Sequence, residues 1–502
     1  MALGRAFSVA VTGVDGQLVE IEADVGRGLP GVSLVGLPDT ALSEARDRIR
    51  AAVTNSGEKW PESRVTLALS PAMLPKVGSV YDLALAIAAL NASGELPDHR
   101  LAGTILLGEL ALDGRVRAVR GVLPAVLAAR TEGFARVVVP VESLTEAALV
   151  DDIEVFGAET LRHVCQWLRG EGSLVEPTGS VAPSRAPGPD LVDIVGQVEA
   201  RWAAEVSAAG GHNMMLVGPP GTGKTMIAQR IPGLLPVLSE RESIEVSAIH
   251  SVAGILDPKE PLVTNPPFVA PHHTSTITSL IGGGTGMARP GAVSRAHRGI
   301  LFLDECPEFG TRVLDALRTP IEEGEVRIAR RDGVARYPAR FQLILAANPC
   351  PCAAAKDKDC TCQSTLRSRY LGRISGPLMD RVDLKIVMRP EASGRLLDAD
   401  GEPTSVVRSR VVAARCAAAE RWQSFGWTTN AEVPGNVLRG RFRPSNRAIA
   451  DLETGMRRGL LTARGADRTL RVAWSICDLR GGTALKPDDV ASALMFRERG
   501  SA

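Results

Sequence analysis

The chain has 502 residues, of which 45% are hydrophobic and 23% are charged, a composition typical of packed globular proteins that excludes extended disorder. The net charge is only +1, but residues 395–502 carry 18 basic and 12 acidic side chains, a net charge of +6. A basic end favours a polyanionic partner, although arginines that merely solvate helix surfaces would give the same count. Eight cysteines are too few for a disulfide scaffold.

The sequence shows no signal for export or membrane insertion. The first residues, MALGRAFSVAVTGVDGQ, lack the charged start and long apolar core of a signal peptide. No run reaches the roughly 18 uninterrupted apolar residues expected of a transmembrane helix. We therefore expect a cytoplasmic protein that makes no membrane contact.

The pattern of apolar residues divides the chain. Over residues 1–170, strand-like runs such as RVTLALS and RVVVPV alternate with helical runs, which predicts an α/β domain. Residues 171–188 are rich in Gly, Pro and Ser and are typical of a linker. A second α/β pattern covers residues 189–392, and Arg- and Ala-rich helical patterns dominate residues 393–502. The predicted fold class is therefore α/β with a helical C-terminal domain.

A phosphate-binding loop is predicted directly after the apolar run NMMLV. The following GPPGTGKT has the spacing G-x-x-x-x-G-K-T between a strand and a helix, which is the P-loop signature. Its backbone N–H groups would face a phosphate, and the helix N-terminus favours negative charge. Lys224 would reach the β- and γ-phosphates of ATP, and Thr225 would ligate Mg²⁺. The predicted nucleotide-binding residues of this loop are Gly218, Pro219, Pro220, Gly221, Thr222, Gly223, Lys224 and Thr225.

Two further apolar runs end in polar side chains suited to phosphoryl transfer. GILFLDE, residues 299–305, would bring Asp304 to the magnesium ion and Glu305 to the attacking water. FQLILAAN, residues 341–348, ends at Asn348, which would help to orient the same water. A strand that meets an ordinary surface loop also often ends in acids, so this interpretation depends on the P-loop upstream.

Arg381 follows a helical stretch in SGPLMDRVDL, residues 375–384. If it were supplied to a neighbouring subunit, its guanidinium would spread the charge that develops during phosphoryl transfer. A surface ion pair with Asp380 or Asp383 would explain the same residue. Spacing alone does not separate the two interpretations.

Four of the eight cysteines lie directly after Asn348, in NPCPCAAAKDKDCTCQ. Cys350, Cys352, Cys360 and Cys362 form two C-x-C pairs, and four thiolates can bind Zn²⁺ tetrahedrally. The usual zinc spacing is C-x₂-C, so ordinary reduced cysteines and a redox switch remain alternatives to structural zinc.

These motifs together resemble the AAA+ ATPases of the magnesium-chelatase-like group. The order of P-loop, long insert, GILFLDE, hairpin, asparagine and MDRVD carries this resemblance, and the strings GLPDTALSEARDRIRAAV and PHHTSTITSLIGGG are similar to the ComM/YifB family. The resemblance implies a homo-hexameric ring motor that uses ATP and Mg²⁺ and binds single-stranded or branched DNA. It also implies branch migration during recombination of incoming DNA in natural transformation.

The resemblance also implies roles for individual residues. It makes residues 189–392 the AAA+ core and residues 393–502 a helical lid. Arg381 matches the family's arginine finger, and Arg464 matches a second sensor arginine on the lid. The segment DLVDIVGQ resembles the one that lies against adenine, through Asp193, Val195 and Gly196.

A hairpin is predicted by the alternating pattern around RRDG in residues 323–345. In related ring helicases a hairpin at this place points into the pore, so Arg330 and Arg331 would grip the phosphate backbone. Ordinary exposed arginines on a solvated hairpin are the alternative. The glycine-rich insert at residues 272–291 contains a further candidate DNA contact, Arg289.

Residues 1–170 resemble the Lon protease domain, which has a ribosomal-S5-like fold. The position of the Lon serine falls on Val80 in PKVGSVYDL, next to Ser79, and Leu123 stands where the base lysine is expected. Without that lysine the serine hydroxyl has no activating partner. We therefore expect a proteolytically inactive scaffold or DNA-binding platform.

Two rival functions share the ATPase motifs. A chelatase-type motor that remodels a partner protein would need the same ATPase core, but neither the Lon-like domain nor the basic C-terminal helices. A Lon-like ATP-dependent protease is disfavoured by Leu123.

Overall fold

The structure is a computed structural model, and it describes residues 3–36, 40–74, 76, 78–178, 188–284, 288–330, 333–354, 359–390 and 401–498. The first α/β region has these strands and helices: β1 (Leu3–Thr12), β2 (Asp15–Gly26), β3 (Gly31–Val35), α1 (Thr40–Asn55), β4 (Arg64–Ser70), α2 (Asp82–Ala92), β5 (Thr104–Leu106), β6 (Glu109–Leu110), β7 (Val116–Arg117), α3 (Val122–Thr131), β8 (Arg136–Pro140), α4 (Leu144–Ala147), β9 (Glu154–Ala158) and α5 (Leu161–Arg169).

A seven-stranded mixed sheet organises this first region, in the order β3-β4-β2-β1-β5-β8-β9. The strands β1 and β2 pair antiparallel over ten residues, whereas β5, β8 and β9 are parallel. All eleven residues of α2, in DLALAIAALNA, are buried. A helix that is apolar on every side is stable only inside a core, so α2 is the central helix of this region.

The second α/β region has these elements: α6 (Val198–Gly210), β10 (Met214–Val217), α7 (Lys224–Leu234), α8 (Glu240–Ala253), β11 (Phe268–Val269), α9 (Ile277–Ile281), β12 (Gly282–Gly283), β13 (Arg289–Pro290), α10 (Ala292–Arg295), β14 (Ile300–Leu303), α11 (Thr311–Asp315), α12 (Arg318–Glu323), β15 (Glu325–Arg330), β16 (Gly333–Pro338), β17 (Gln342–Ala347), α13 (Ser364–Leu371), α14 (Gly376–Met379) and β18 (Leu384–Val387).

Its central sheet is parallel, with the strand order β11-β14-β17-β10-β18. Every residue of β14 and β17 is buried, because helices cover both faces of a parallel sheet. The sequences of such strands are therefore continuous apolar runs. The carboxyl ends of the strands meet at one edge, where α/β proteins bind ligands. The predicted α/β fold class is confirmed, and this sheet is parallel.

The C-terminal region is helical, as predicted. Its helices are α15 (Thr404–Trp422), α16 (Gly435–Arg439), α17 (Ala450–Arg457), α18 (Ala463–Leu479) and α19 (Pro487–Glu498). The helices α15 and α18 share one hydrophobic core with α6, α7 and the strand β10. In the described part of the chain, no helix is both long and apolar enough to cross a membrane.

The first α/β region packs on the second through α3 and α8. The Glu146 carboxylate accepts hydrogen bonds from the Leu123 backbone N–H, at 2.8 Å, and from the Ser251 hydroxyl of α8. Ala248 of α8 belongs to the apolar core of the first region. The turn between β1 and β2 also touches the β15–β16 hairpin, since a Cβ on Gly13 would lie 2.3 Å from the Arg336 carbonyl oxygen.

Candidate nucleotide-binding site

The P-loop joins β10, which lies between β17 and β18 in the parallel sheet, to α7. Gly221 and Gly223 have φ of 77° and 89°, a left-handed conformation that favours glycine. A Cβ on Gly218 would lie 2.6 Å from the Met388 carbonyl oxygen, so this position also has no room for a side chain. The loop leads directly into the N-terminus of α7, which is the arrangement that binds phosphate in P-loop proteins.

Lys224 is buried against the loop that precedes it. Its Nζ donates to the carbonyl oxygens of Gly218 at 2.7 Å and Pro219 at 2.9 Å, and to Asn348 Oδ1 at 3.1 Å. Burial lowers the pKa of Lys224, and the nearby carboxylates of Asp304 and Glu305 oppose that shift. All three acceptors are neutral, so phosphate oxygens would be stronger partners for this ammonium group.

Thr225 and Asp304 come together at the ends of α7 and β14. The Thr225 hydroxyl donates to Asp304 Oδ2 at 2.8 Å, and Asp304 Oδ1 accepts from the Glu305 backbone N–H at 2.9 Å. Magnesium prefers such oxygen ligands and usually keeps several waters besides one or two carboxylates and substrate phosphates. A hydroxyl and a carboxylate next to a phosphate-binding loop therefore suit a Mg²⁺–nucleotide complex.

Glu305 has a left-handed backbone, with φ of 49° and ψ of 42°. For a residue other than glycine this conformation costs on the order of 1–3 kcal/mol and is common at functional sites. Its carboxylate lies 3.4 Å from Nδ1 of His273 in the insert, and the His272 and His273 rings are 4.1 Å apart. No pattern in the sequence indicates that His273 contacts Glu305.

Asn348 lies at the end of β17, between the strands that carry the P-loop and Asp304. Its residue exposure is only 9%, and its Oδ1 faces the Lys224 ammonium. The structure therefore brings together Lys224, Thr225, Asp304 and Asn348 by direct contacts, as the three strand-end motifs predict.

Arg381 does form an ion pair, but with neither of the two predicted carboxylates. Its Nη2 pairs with Glu322 of α12, and its Nη1 donates to the Pro377 carbonyl oxygen at 2.5 Å. Asp383 is instead buried beside His212, whose Nδ1 is 3.4 Å from Asp383 Oδ2. The ion-pair interpretation was therefore wrong about the partner, because Glu322 is 59 residues away in the chain and spacing could not indicate it.

Arg464 is the second residue of α18 and is exposed. No hydrogen bond or ion pair joins it to another described residue, whereas Arg468 donates to the Val382 carbonyl oxygen at 3.5 Å and Arg471 to that of Val433 at 2.6 Å. Arg464 is therefore accessible to a ligand or a neighbouring chain. Arg468 and Arg471 instead form hydrogen bonds within the fold.

Val195 and Gly196, the predicted adenine contacts, lie in a half-buried turn in which Gly196 has φ of 67°. Arg230 of α7 holds the start of this turn, since its Nη2 is 2.8 Å from Asp193 Oδ2 and its Nε donates to the Asp190 carbonyl oxygen at 2.5 Å. The predicted adenine segment is therefore attached to the helix that begins at the P-loop.

The predicted hairpin forms from β15 and β16. Its inner face is buried, through Val326, Ile328 and Tyr337, while Arg330 near the tip is exposed; Arg331 lies outside the described residues. The hairpin contacts the insert, because the Tyr337 hydroxyl donates to the Ala288 carbonyl oxygen at 2.5 Å.

The candidate DNA contacts belong to one structural unit. A Cβ on Gly283 of β12 would lie 2.6 Å from Arg330 Nη2, and β12 pairs with β13, which begins at Arg289. Arg289 also lines a cavity of about 500 Å³ between the two α/β regions, together with Ser79 and Glu109.

The Lon-like serine has a partner that the sequence did not indicate. The Ser79 hydroxyl donates to Glu109 Oε2, 30 residues further on, whereas Leu123 is fully buried in the apolar core. The sequence predicts that no lysine at position 123 activates this hydroxyl, and the partner in the structure is a carboxylate.

The four cysteines after Asn348 converge in space. The sulfur atoms of Cys350, Cys352, Cys360 and Cys362 all lie within 4.8 Å of one another. None of the four forms a disulfide. Of the other four cysteines, Cys165, Cys306 and Cys477 are buried and Cys416 is exposed.

The sheet order and the residues at its strand ends define the class of the protein: it contains a P-loop ATPase domain of the AAA+ type. Family models described as magnesium chelatase subunit ChlI match residues 190–396 and 21–143, and one for the C-terminal part of that subunit matches residues 401–497.

Full-length relatives narrow the family further. An uncharacterized protein of Mycobacterium tuberculosis (strain H37Rv) is 62% identical over 503 residues, covering 100% of both chains. YifB of Escherichia coli K12 is 39% identical over 99% of this chain and 97% of its own. Competence protein ComM of Haemophilus influenzae is 38% identical over 99% of this chain and 98% of its own. The chain belongs to the magnesium-chelatase-like AAA+ family that includes YifB and ComM, and this membership indicates ATPase activity.

Proposed function

We propose that this protein is an ATP-driven DNA motor that acts as a homo-hexamer and migrates branched DNA during the recombination of incoming DNA in natural transformation. The observation that carries the proposal is the position of the β15–β16 hairpin. The hairpin leads, within a few residues, into β17, which ends at Asn348 beside Lys224. The β15–β16 hairpin, which would bind DNA, would thus be continuous with the strand β17, which would contact the nucleotide through Asn348.

In this proposal one subunit binds and activates the nucleotide. Lys224 and the P-loop N–H groups hold the β- and γ-phosphates, and Thr225 and Asp304 hold Mg²⁺. Glu305 accepts a proton from the attacking water, which Asn348 helps to orient. Magnesium neutralises charge that develops on the phosphates. Val195 and Gly196 lie against adenine, and Arg464 contacts the phosphates from the lid.

A neighbouring subunit completes the site with Arg381. The present partner of this arginine is the exposed carboxylate of Glu322, whereas the Arg381 side chain is itself only 14% exposed. Exchange for a phosphate oxygen would require Arg381 to leave both Glu322 and the Pro377 carbonyl oxygen. In a ring, this exchange would link each site to the next subunit.

The DNA is held in the pore by phosphate contacts. Arg330, Arg331 and Arg289 carry the positive charge, and such contacts do not read sequence. The contact between the hairpin and the insert would make both elements move together. The name ComM is that of a competence protein, which supports a role in natural transformation.

Each part of the chain would have its own role in this motor, which would act in the cytoplasm. Residues 1–170 would form a proteolytically inactive platform and residues 171–188 a linker. Residues 189–392 would form the ATPase core and residues 393–502 the lid.

The experiment is branch migration of a synthetic four-stranded junction by the purified full chain. We expect ATP-dependent migration by the wild type and none by Lys224→Ala. ATPase rates should also be compared with forked DNA, single strands, unfolded protein and no addition. Stimulation by unfolded protein and not by DNA would instead support a chelatase-type motor that remodels a partner protein, or a protease-like machine.

A further inference from the structure

We propose that Cys350, Cys352, Cys360 and Cys362 bind one Zn²⁺, and that the bound ion fixes the segment between Asn348 and α13. The geometry of the sulfur atoms points to this site. Three sulfur–sulfur distances are 3.1 Å, 3.4 Å and 3.4 Å, between residues 350 and 352, 350 and 360, and 352 and 360. In a tetrahedral site with Zn–S bonds of about 2.3 Å, the sulfur atoms lie about 3.8 Å apart. These three distances would have to increase by about 0.4–0.7 Å around a zinc ion, and the Cys362 sulfur lies within 4.8 Å of the other three.

Other roles for the four thiols agree less well with this geometry. A disulfide requires a sulfur–sulfur distance of about 2.05 Å, and all four cysteines are free. Two separate disulfides would bring the sulfur atoms together in pairs, whereas each of Cys350, Cys352 and Cys360 lies close to both of the others. Four converging thiols favour a soft or borderline metal, and tetrahedral sulfur sites hold zinc or iron.

The backbone around the first C-x-C pair also suits a metal–thiolate centre. The Ala353 N–H donates to the Cys350 carbonyl oxygen at 3.2 Å, and Ala353 has a left-handed φ of 50°. This tight turn directs the Ala354 N–H to the sulfur atoms of Cys350 and Cys352. Backbone donors of this kind stabilise thiolate charge and orient metal ligands.

The position of the site explains what a bound ion would do. Cys350 is buried and comes two residues after Asn348, whose Oδ1 contacts Lys224. Cys362 comes two residues before α13, and the residues after that helix are held near Glu305: Arg373 pairs with Glu308 at 2.9 Å. A metal would therefore join the end of the sensor strand to the region that follows Asp304 and Glu305.

The test is metal analysis of the purified full chain, expressed with zinc available. We expect about one zinc per chain in the wild type and almost none in the double variant Cys352→Ser/Cys360→Ser. Cys416→Ser is the matched control, because Cys416 is also exposed but lies on α15, outside the cluster; it should keep the zinc. Zinc content in the double variant equal to that of the wild type would overturn the assignment, as would iron in place of zinc.

A second measurement covers the case in which the double variant does not fold. Zinc should be removed from the folded wild type with a chelator, and four thiols per chain should then become newly reactive and be protected again when zinc is restored. Cleavage by a protease within residues 349–363 should become faster on removal and slower on restoration. Absence of both changes would overturn the proposal. Neither measurement depends on ATP hydrolysis or DNA, so a failure here is distinct from a failure of the proposed motor.

Discussion

The two α/β regions of this chain both place polar side chains next to a glycine-containing turn, but only the second surrounds them with the charges that chemistry needs. At the P-loop, Lys224 touches Asn348, and Thr225 touches Asp304. In the first region, the Ser79 hydroxyl has one carboxylate partner, Glu109, and a buried leucine, Leu123, stands where a basic nitrogen would be required. The two regions therefore differ in their charged contacts: an ammonium group contacts the P-loop, whereas the Ser79 hydroxyl contacts a carboxylate.

The largest expected effect is that of Lys224→Ala in the P-loop. Removing the ammonium that faces the phosphates should lower ATP turnover roughly 1000-fold and also weaken ATP binding. Turnover and equilibrium binding of a fluorescent ATP analogue measure the two effects. Lys259→Ala, an exposed lysine of the same region, is the control and should behave as the wild type. Near-normal turnover in Lys224→Ala would exclude this loop as the ATP site.

Glu305→Gln should slow ATP hydrolysis without weakening ATP binding. Loss of the proton acceptor should lower ATP turnover roughly 100-fold, while ATP binding stays close to wild type because Lys224 and the loop are unchanged. Turnover and binding are measured with the same two assays. Glu308→Gln, three residues further on and also exposed, loses only a surface ion pair with Arg373 and should retain activity. Equal loss in both variants would mean that Glu305 has no special role.

Arg330→Ala should weaken DNA binding by a smaller amount and uniformly across sequences. Loss of one phosphate contact should reduce the slope of log affinity against log salt concentration by about 0.7 on single-stranded DNA. Arg327→Ala is the matched control on the same strand, because Arg327 is already paired with Glu325 at 2.5 Å. Titration of fluorescent single-stranded DNA at several salt concentrations measures both variants. An unchanged slope in Arg330→Ala would count against the hairpin as a DNA contact.

The smallest effect is expected from a substitution in the first α/β region. Ser79→Ala removes one hydrogen bond to Glu109, which should change the free energy of unfolding by about 1 kcal/mol and leave ATP turnover and junction migration unchanged. Denaturant unfolding measures the stability. A large loss of motor activity with unchanged stability would show that the cavity between the two regions has a direct role.

Much of the ATPase site could be predicted because its motifs are local. Each of the P-loop, the run before Asp304 and the run before Asn348 is a continuous apolar strand followed at once by its polar residues, and parallel strands bring such ends to one edge. The contact between His273 and Glu305 could not be predicted in this way. It depends on how the insert folds back over the strand end, and no periodicity in the sequence specifies that.

The amino-acid sequence specifies which residues carry charge and where regular elements begin, because backbone preferences and apolar spacing act over a few residues. Contacts between distant groups become visible only in the folded chain: Arg381 with Glu322, Ser79 with Glu109, and the two C-x-C pairs with each other. The physical reason is that these contacts form between segments whose relative placement is set by packing of the whole core. Local spacing contains no information about that placement.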